Sequence, residues 1–221
     1  MTMHRCIFLL ACCLPAVLGG CSAKARKGEV AAPVPVVTFL RAPAFEQCEL
    51  EGFVATDLGR QALLFGETRE KLLEQNGLGE LQRQAIEALF AGIRDKTVSH
   101  YAAFAADRFY ACAERLKLPV ARNAKAASVC FARTDIQFFA QRHKEKGLSA
   151  EQARANFRTV FKDTPKEIFP DSLVDELTNW EYQVERPAEQ YELRRFILES
   201  CLFPEEWKRW YNSLHPEDRR T

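Results

Sequence analysis

Along residues 45–215 apolar side chains recur every three to four positions, the spacing of helices that bury one face, while strand-like alternation is almost absent. The one β-rich run, "VPVVTFL" at 34–40, carries a proline. A first helix is expected from near Phe45 to Gln75, stopped by Asn76-Gly77. Within it Gly52, Gly59 and Gly66 recur every seven residues, with Ala55 and Ala62 between them. Seven residues are almost two turns, so these positions share a face. A glycine inside a helix costs about 1 kcal/mol against alanine. The stripe therefore has two readings: a neighbouring helix approaches too closely to allow a Cβ, which the shared face favours, or the glycines break the helix into pieces. Leu58, Phe65 and Leu72 form a bulky stripe beside it.

A second helix is expected over Glu80–Ile93, with Leu81, Ala85, Ala88 and Leu89 on its inner face. Ser99 is placed to cap a third, in which Tyr101, Ala105, Arg108 and Cys112 share a face, and "KLPVARNA" (117–124) interrupts the pattern. After Cys130 the plan recurs. One helix ends at Lys146-Gly147, and Ser149 with Gln152 forms a capping box for the next, whose buried stripe is Ala153, Phe157 and Val160. "KDTPKEIFPDS" reads as a loop, "SLVDELTNWEYQVER" as a helix, and Pro187 as the first turn of another that ends at Cys201. Last comes "PEEWKRWYNSL", with Trp207, Trp210, Tyr211 and Leu214 at helical spacing.

The chain begins differently. Arg5 precedes thirteen apolar residues, Cys6 to Leu18, too few to span a bilayer, which needs about 20, but suited to the apolar region of a secretory leader. Leu18-Gly19-Gly20-Cys21 follows. This tetrapeptide resembles the lipobox of bacterial lipoproteins: an aliphatic residue, two small ones that let the backbone enter a protease cleft, then a thiol that can be thioether-linked. The resemblance implies a signal peptide over 1–20 and a lipidated Cys21 whose amine is acylated, with palmitate as the acyl group. It implies a place in the cell envelope, and Ser22 in place of aspartate points to the outer membrane, facing the periplasm. The competing reading is an ordinary secretory leader followed by a chance cysteine. Residues 21–43, with Pro33 and Pro35, read as the lipidated terminus and a flexible linker that clears the membrane.

Removing the leader takes Arg5 and no acid, which leaves 30 basic and 30 acidic residues. No run of five lysines and arginines occurs, so nucleic acid is not an expected partner. Three of the eight cysteines fall in the leader and one is the lipid site, leaving Cys48, Cys112, Cys130 and Cys201. Four cysteines in an exported chain allow three disulfide pairings, and no CxxC or Cys/His spacing for zinc is present.

Aligning the halves chooses among the pairings. Cys48, a long helix, "NGLGE", a helix with Phe90 and a helix ending in Cys112 are matched by Cys130, a helix, "KGLSAE", a helix with Phe161 and helices ending in Cys201. Cys48–Cys112 and Cys130–Cys201 are thus preferred. The expected fold is an all-α helical bundle of two tandem disulfide-closed repeats, 44–118 and 119–215, the second carrying the C-terminal helix. Cys130, Ala140, Arg142, Gly147, Ser149, Glu151, Ala153 and Cys201 also resemble the pattern of small helical periplasmic proteins of proteobacteria, a resemblance that implies no activity.

Catalytic signals are weak. "LESCLFPEEW" resembles the "ES.F.P" piece of lysozyme-like lytic transglycosylases, which would make Glu199 an acid for glycosidic bonds in peptidoglycan. The downstream segment of that family is missing, and Cys201 interrupts the motif. Cys130 with His143 could form a nucleophile and base, against the simpler reading of Cys130 as a bridge. His100 and His215 read as surface residues, and no nucleotide-binding, GxSxG or HExxH motif occurs. Trp207, Trp210 and Tyr211 either pack on the bundle or form an interaction patch. The expectation is a non-enzymatic, lipid-anchored protein-interaction module with no cofactor, held to the membrane by its lipid and bound to another envelope protein. The alternative is a peptidoglycan hydrolase using Glu199.

Overall fold

The computed structural model describes residues 39–183 and 189–214. The leader, Cys21, most of the linker, Pro187, His215 and the Leu214 side chain lie outside the described residues.

Among the described residues the chain is an all-α bundle of nine helices and no strand: α1 (Pro43–Leu63), α2 (Arg69–Leu73), α3 (Glu80–Arg94), α4 (Tyr101–Arg115), α5 (Ala124–Glu145), α6 (Ala150–Val160), α7 (Asp171–Gln183), α8 (Gln190–Leu202) and α9 (Pro204–Leu214). Helix α4 packs on both α1 and α5; α3 covers α1, while α6, α7 and α8 cover α5. One apolar core runs through both halves, from Phe45 and Phe53 through Phe109 and Phe131 to Phe157 and Phe169.

Two disulfides close this arrangement. Cys48–Cys112 ties α1 to α4, and Cys130–Cys201 ties α5 to α8, with Cα–Cα distances of 5.3 and 5.6 Å. These are the preferred pairings.

The first helix is shorter than its periodicity implied. Gly66 adopts φ +70°, a left-handed conformation that ends the helical run after Leu63, and α2 restarts after the Thr68 cap. Both readings of the glycine stripe therefore hold, at different positions. A Cβ on Gly52 would press into the edge of the Phe131 ring, 2.6 Å from its Cε1, and one on Gly59 would lie 2.9 Å from the Tyr101 Cβ. These two glycines let α5 and α4 close on α1, whereas Gly66 is a break with open space around it. The break also turns Phe65 outward, 53 % exposed, so the stripe it was to share with Leu58 and Leu72 loses its middle member.

Other boundaries shift for local reasons. The cap of α4 is His100, not Ser99, its Nδ1 accepting from the Ala103 N–H at 3.2 Å; His100 is half-buried rather than a surface residue. The Ser149–Gln152 capping box is present. Phe161 takes the buried place expected of Val160, and stacks on Phe157 and Phe169 at 6.0 and 4.9 Å. The linker's end belongs to the body: Leu40 is buried, and the Phe39 ring meets Phe45 and Phe203 edge-on.

Helix α1 is packed on several sides, so its polar residues are carried inside, where each charge needs a partner. Buried Glu51 pairs with Arg115 and, at 3.6 Å, with Arg108. Buried Arg60 pairs with Asp135 of α5, which also accepts a 2.8 Å hydrogen bond from the Tyr101 hydroxyl. Asp57 meets Arg194 of α8 at 3.2 Å. Replacing one member of such a pair leaves the other charged and buried, so these contacts specify which helix lies beside α1 more than they add net stability.

Candidate functional site

The aromatic surface is built by three consecutive helices. In α9, Pro204 opens the helix, Glu205 and Glu206 sit in the first turn where the helix dipole favours acids, and Trp207, Trp210 and Tyr211 follow on one face. That face is laid against α8. The Trp207 ring meets Phe196 edge-on at 5.0 Å and stacks on Tyr211 at 5.1 Å, and the Arg41 guanidinium lies 4.2 Å over the Trp210 ring. All three aromatic residues of α9 are half-buried. Packing accounts for one side of the cluster and leaves the other open to solvent.

The cluster continues into a cleft. Phe196 (41 % exposed) and Trp180 of α7 (42 % exposed) line a depression of about 470 Å³ with Leu177, Ile197 and Cys201. Arg133 and Glu176 pair across it at 3.1 Å. The Cys130–Cys201 bridge anchors α8 to α5 beside this cleft, so its walls are held by a covalent link. Depressions lined by tryptophan, tyrosine and phenylalanine with few charges are typical of the centre of protein–protein contacts.

Trp180, Phe196 and Arg41 were not picked out of the sequence. Trp180 and Phe196 each sit in an ordinary helical pattern, and only packing reveals that their rings point outward.

Glu199 is fully buried, 3.2 Å from Arg41 and 3.4 Å from Arg195. Burial pushes its carboxyl above the usual range, against the pull of both arginines. Arg195 also binds buried Glu49 at 2.9 Å and Glu46 at 3.0 Å. Burial, reinforced by the nearby Glu199, pushes Glu49 up to about 9. Glu49 and Glu199 thus share the Arg195 guanidinium, with Arg41 also on Glu199, and the burial of two neighbouring carboxyls favours the protonated form of Glu49. The geometry of this cluster fixes α8 and the entry of the chain at Arg41 against α1.

The Cys130–His143 nucleophile and base are not assembled. The Cys130 sulfur is committed to Cys201, and His143 lies on the C-terminal part of α5 with its Nε2 3.4 Å from Asn156. Among the described residues no cluster of three His, Cys, Asp or Glu could hold a metal ion, and no helix is long and apolar enough to cross a membrane.

No protein-family model, curated protein or solved structure matches the chain.

Proposed function

We propose that this protein is a lipid-anchored, non-enzymatic interaction module of the bacterial envelope, tethered through Cys21 in the outer membrane and facing the periplasm. It binds another envelope protein through the aromatic surface of α7, α8 and α9. One observation carries the reading: Trp180, Phe196, Trp207 and Tyr211 come from three helices into one cleft-and-patch surface that packing leaves open. The disulfides support it, since paired thiols persist in exported proteins. Buried Glu199, already held by two arginines, favours a structural role over glycosidic acid catalysis.

The test is photo-crosslinking in the native cell. A photoreactive residue at position 180 or 196 should give one discrete adduct, absent when the same probe stands at exposed Glu74, and Trp207→Ala should weaken its formation. Equal labelling at all three positions would refute the assignment of the surface. Mass spectrometry of the membrane-extracted protein checks the anchor, which an unmodified Cys21 would rule out. Release of muropeptides from peptidoglycan by the wild-type chain, abolished in Glu199→Gln, would replace this reading with the hydrolase.

A further inference from the structure

A second cleft, on the other side of α5, has a different chemical character. Its floor is Phe157 of α6 and Phe161 just after that helix, and its α5 wall is Phe138 and Phe139, in a volume of about 290 Å³. Two large apolar side chains stand exposed at its mouth: Phe65, turned outward by the Gly66 break, and Val160, 39 % exposed. Leaving both partly in water forgoes the stabilisation that full burial would bring.

The lining is graded along the α5 axis. Phe138, Arg142 and Lys146 are spaced by four, so they form one ridge, apolar at its start and cationic at its end. From Phe138 to Lys146 the ridge is about 12 Å long at 1.5 Å per residue. Arg142 is exposed and meets Glu145 at only 3.9 Å, and Lys146 is exposed. Basic residues in a last turn also answer the helix dipole, but the dipole gives no reason for Phe65 and Val160 to stand open at the same place.

We propose that this cleft binds a single-chain fatty acid, its alkyl tail along Phe138, Phe139 and Phe157 and its carboxylate at Arg142 and Lys146. The volume lies at the low end of small-molecule sites, which accommodates one chain and not a two-chain lipid. The guanidinium fork of Arg142 suits a carboxylate's two oxygens. His143, whose imidazole burial holds below its ordinary range, lines the cleft with its ring packed edge-on against Phe157 at 5.3 Å. This site shares no residue with the aromatic surface of α7–α9, so either assignment can fail without the other.

Calorimetric titration of laurate below its micelle-forming concentration tests it on the full chain. One saturable site is expected. The double variant Arg142→Ala/Lys146→Ala should bind about tenfold more weakly, as expected for two exposed ion pairs. Val160→Glu, at an exposed position that leaves the fold intact by circular dichroism, should weaken binding by at least as much. Dodecyl maltoside, with the same tail and no charge, should bind like laurate to the double variant, and dodecyltrimethylammonium should not bind. Absence of saturable laurate binding, or affinities equal across the wild type and both variants, would overturn the site. Lysophosphatidylglycerol binding in place of laurate would overturn the carboxylate assignment.

Discussion

Gly52→Ala separates two physical effects of opposite sign at one position. Alanine is favoured over glycine by about 1 kcal/mol within a helix, and Gly52 lies well inside α1. On intrinsic preference alone the change stabilises. The structure puts the new Cβ among the ring atoms of Phe131, with Cε1 at 2.6 Å and Cε2 at 3.5 Å. Phe131 is itself buried between Phe53 and Phe109, whose ring centroids are 6.1 and 6.0 Å away, so it has little room to turn. Overpacking of this kind costs about 1–3 kcal/mol. The expected net result is a loss of about 1 kcal/mol, a fall in Tm of about 2–4 °C for a chain of this size. Urea unfolding with the disulfides intact gives the number, and a double-mutant cycle gives the cause. In a Phe131→Leu background the ring edge is gone, and Gly52→Ala should now stabilise by up to about 1 kcal/mol, a coupling of about 2 kcal/mol between the two positions. If Gly52→Ala stabilises the wild-type protein, or has the same effect in both backgrounds, close approach of α5 is not the reason for this glycine.

Gly66→Ala should cost about 1–2 kcal/mol from left-handed backbone strain alone, with no dependence on Phe131, since nothing lies near its Cβ; thermal melts of the single and double variants check this. Replacing Cys130 and Cys201 by serine opens a loop of 71 residues and should remove about 4 kcal/mol in the chain-entropy model, and Cys48/Cys112, separated by 64, nearly the same; a much smaller loss for either pair would mean that packing already restricts the unfolded chain. For Glu49→Gln the sign follows from linkage. The native carboxyl titrates near 9, against an ordinary value of 4.5, so the stability it contributes as a neutral group is full below the ordinary value and is lost as pH rises towards 9. Glutamine stays neutral, so the stability of the variant relative to wild type should rise from pH 5 to pH 9, with Glu46, Arg41, Arg195, Glu199 and Tyr191 around the site unchanged. A flat difference across urea midpoints at pH 5, 7 and 9 would show that Arg195 keeps Glu49 ionised.

The period of apolar residues was enough to place most of the helices, because helix existence depends on side chains three and four apart along the chain. Ser149 and Gln152 were legible as a cap for the same reason. The limits appeared where one residue type serves two purposes. Gly52 and Gly66 look alike in the sequence, yet one admits a neighbouring ring and the other reverses the backbone. Val160 and Phe161 are adjacent apolar residues, and Phe161 is the buried one because its ring stacks on Phe169. In the candidate surface, Trp207, Trp210 and Tyr211 were visible from their spacing. Trp180 and Phe196 were not, because outward-facing rings within amphipathic helices carry no local mark.

Local and compositional properties were set by the sequence alone: the all-α class, most helix limits, and cysteines spaced so that each half begins and ends with one. Tertiary structure decided what depends on contacts between distant residues. It brought Glu49 and Glu199 to one arginine, carried the charges of α1 inside, and left two apolar clefts open on either side of α5. The physical reason is range. Helical backbone hydrogen bonds and propensities act within a turn or two, whereas burial, desolvation and side-chain pairing are set by whichever helix arrives as neighbour, and that choice is made by the whole chain at once.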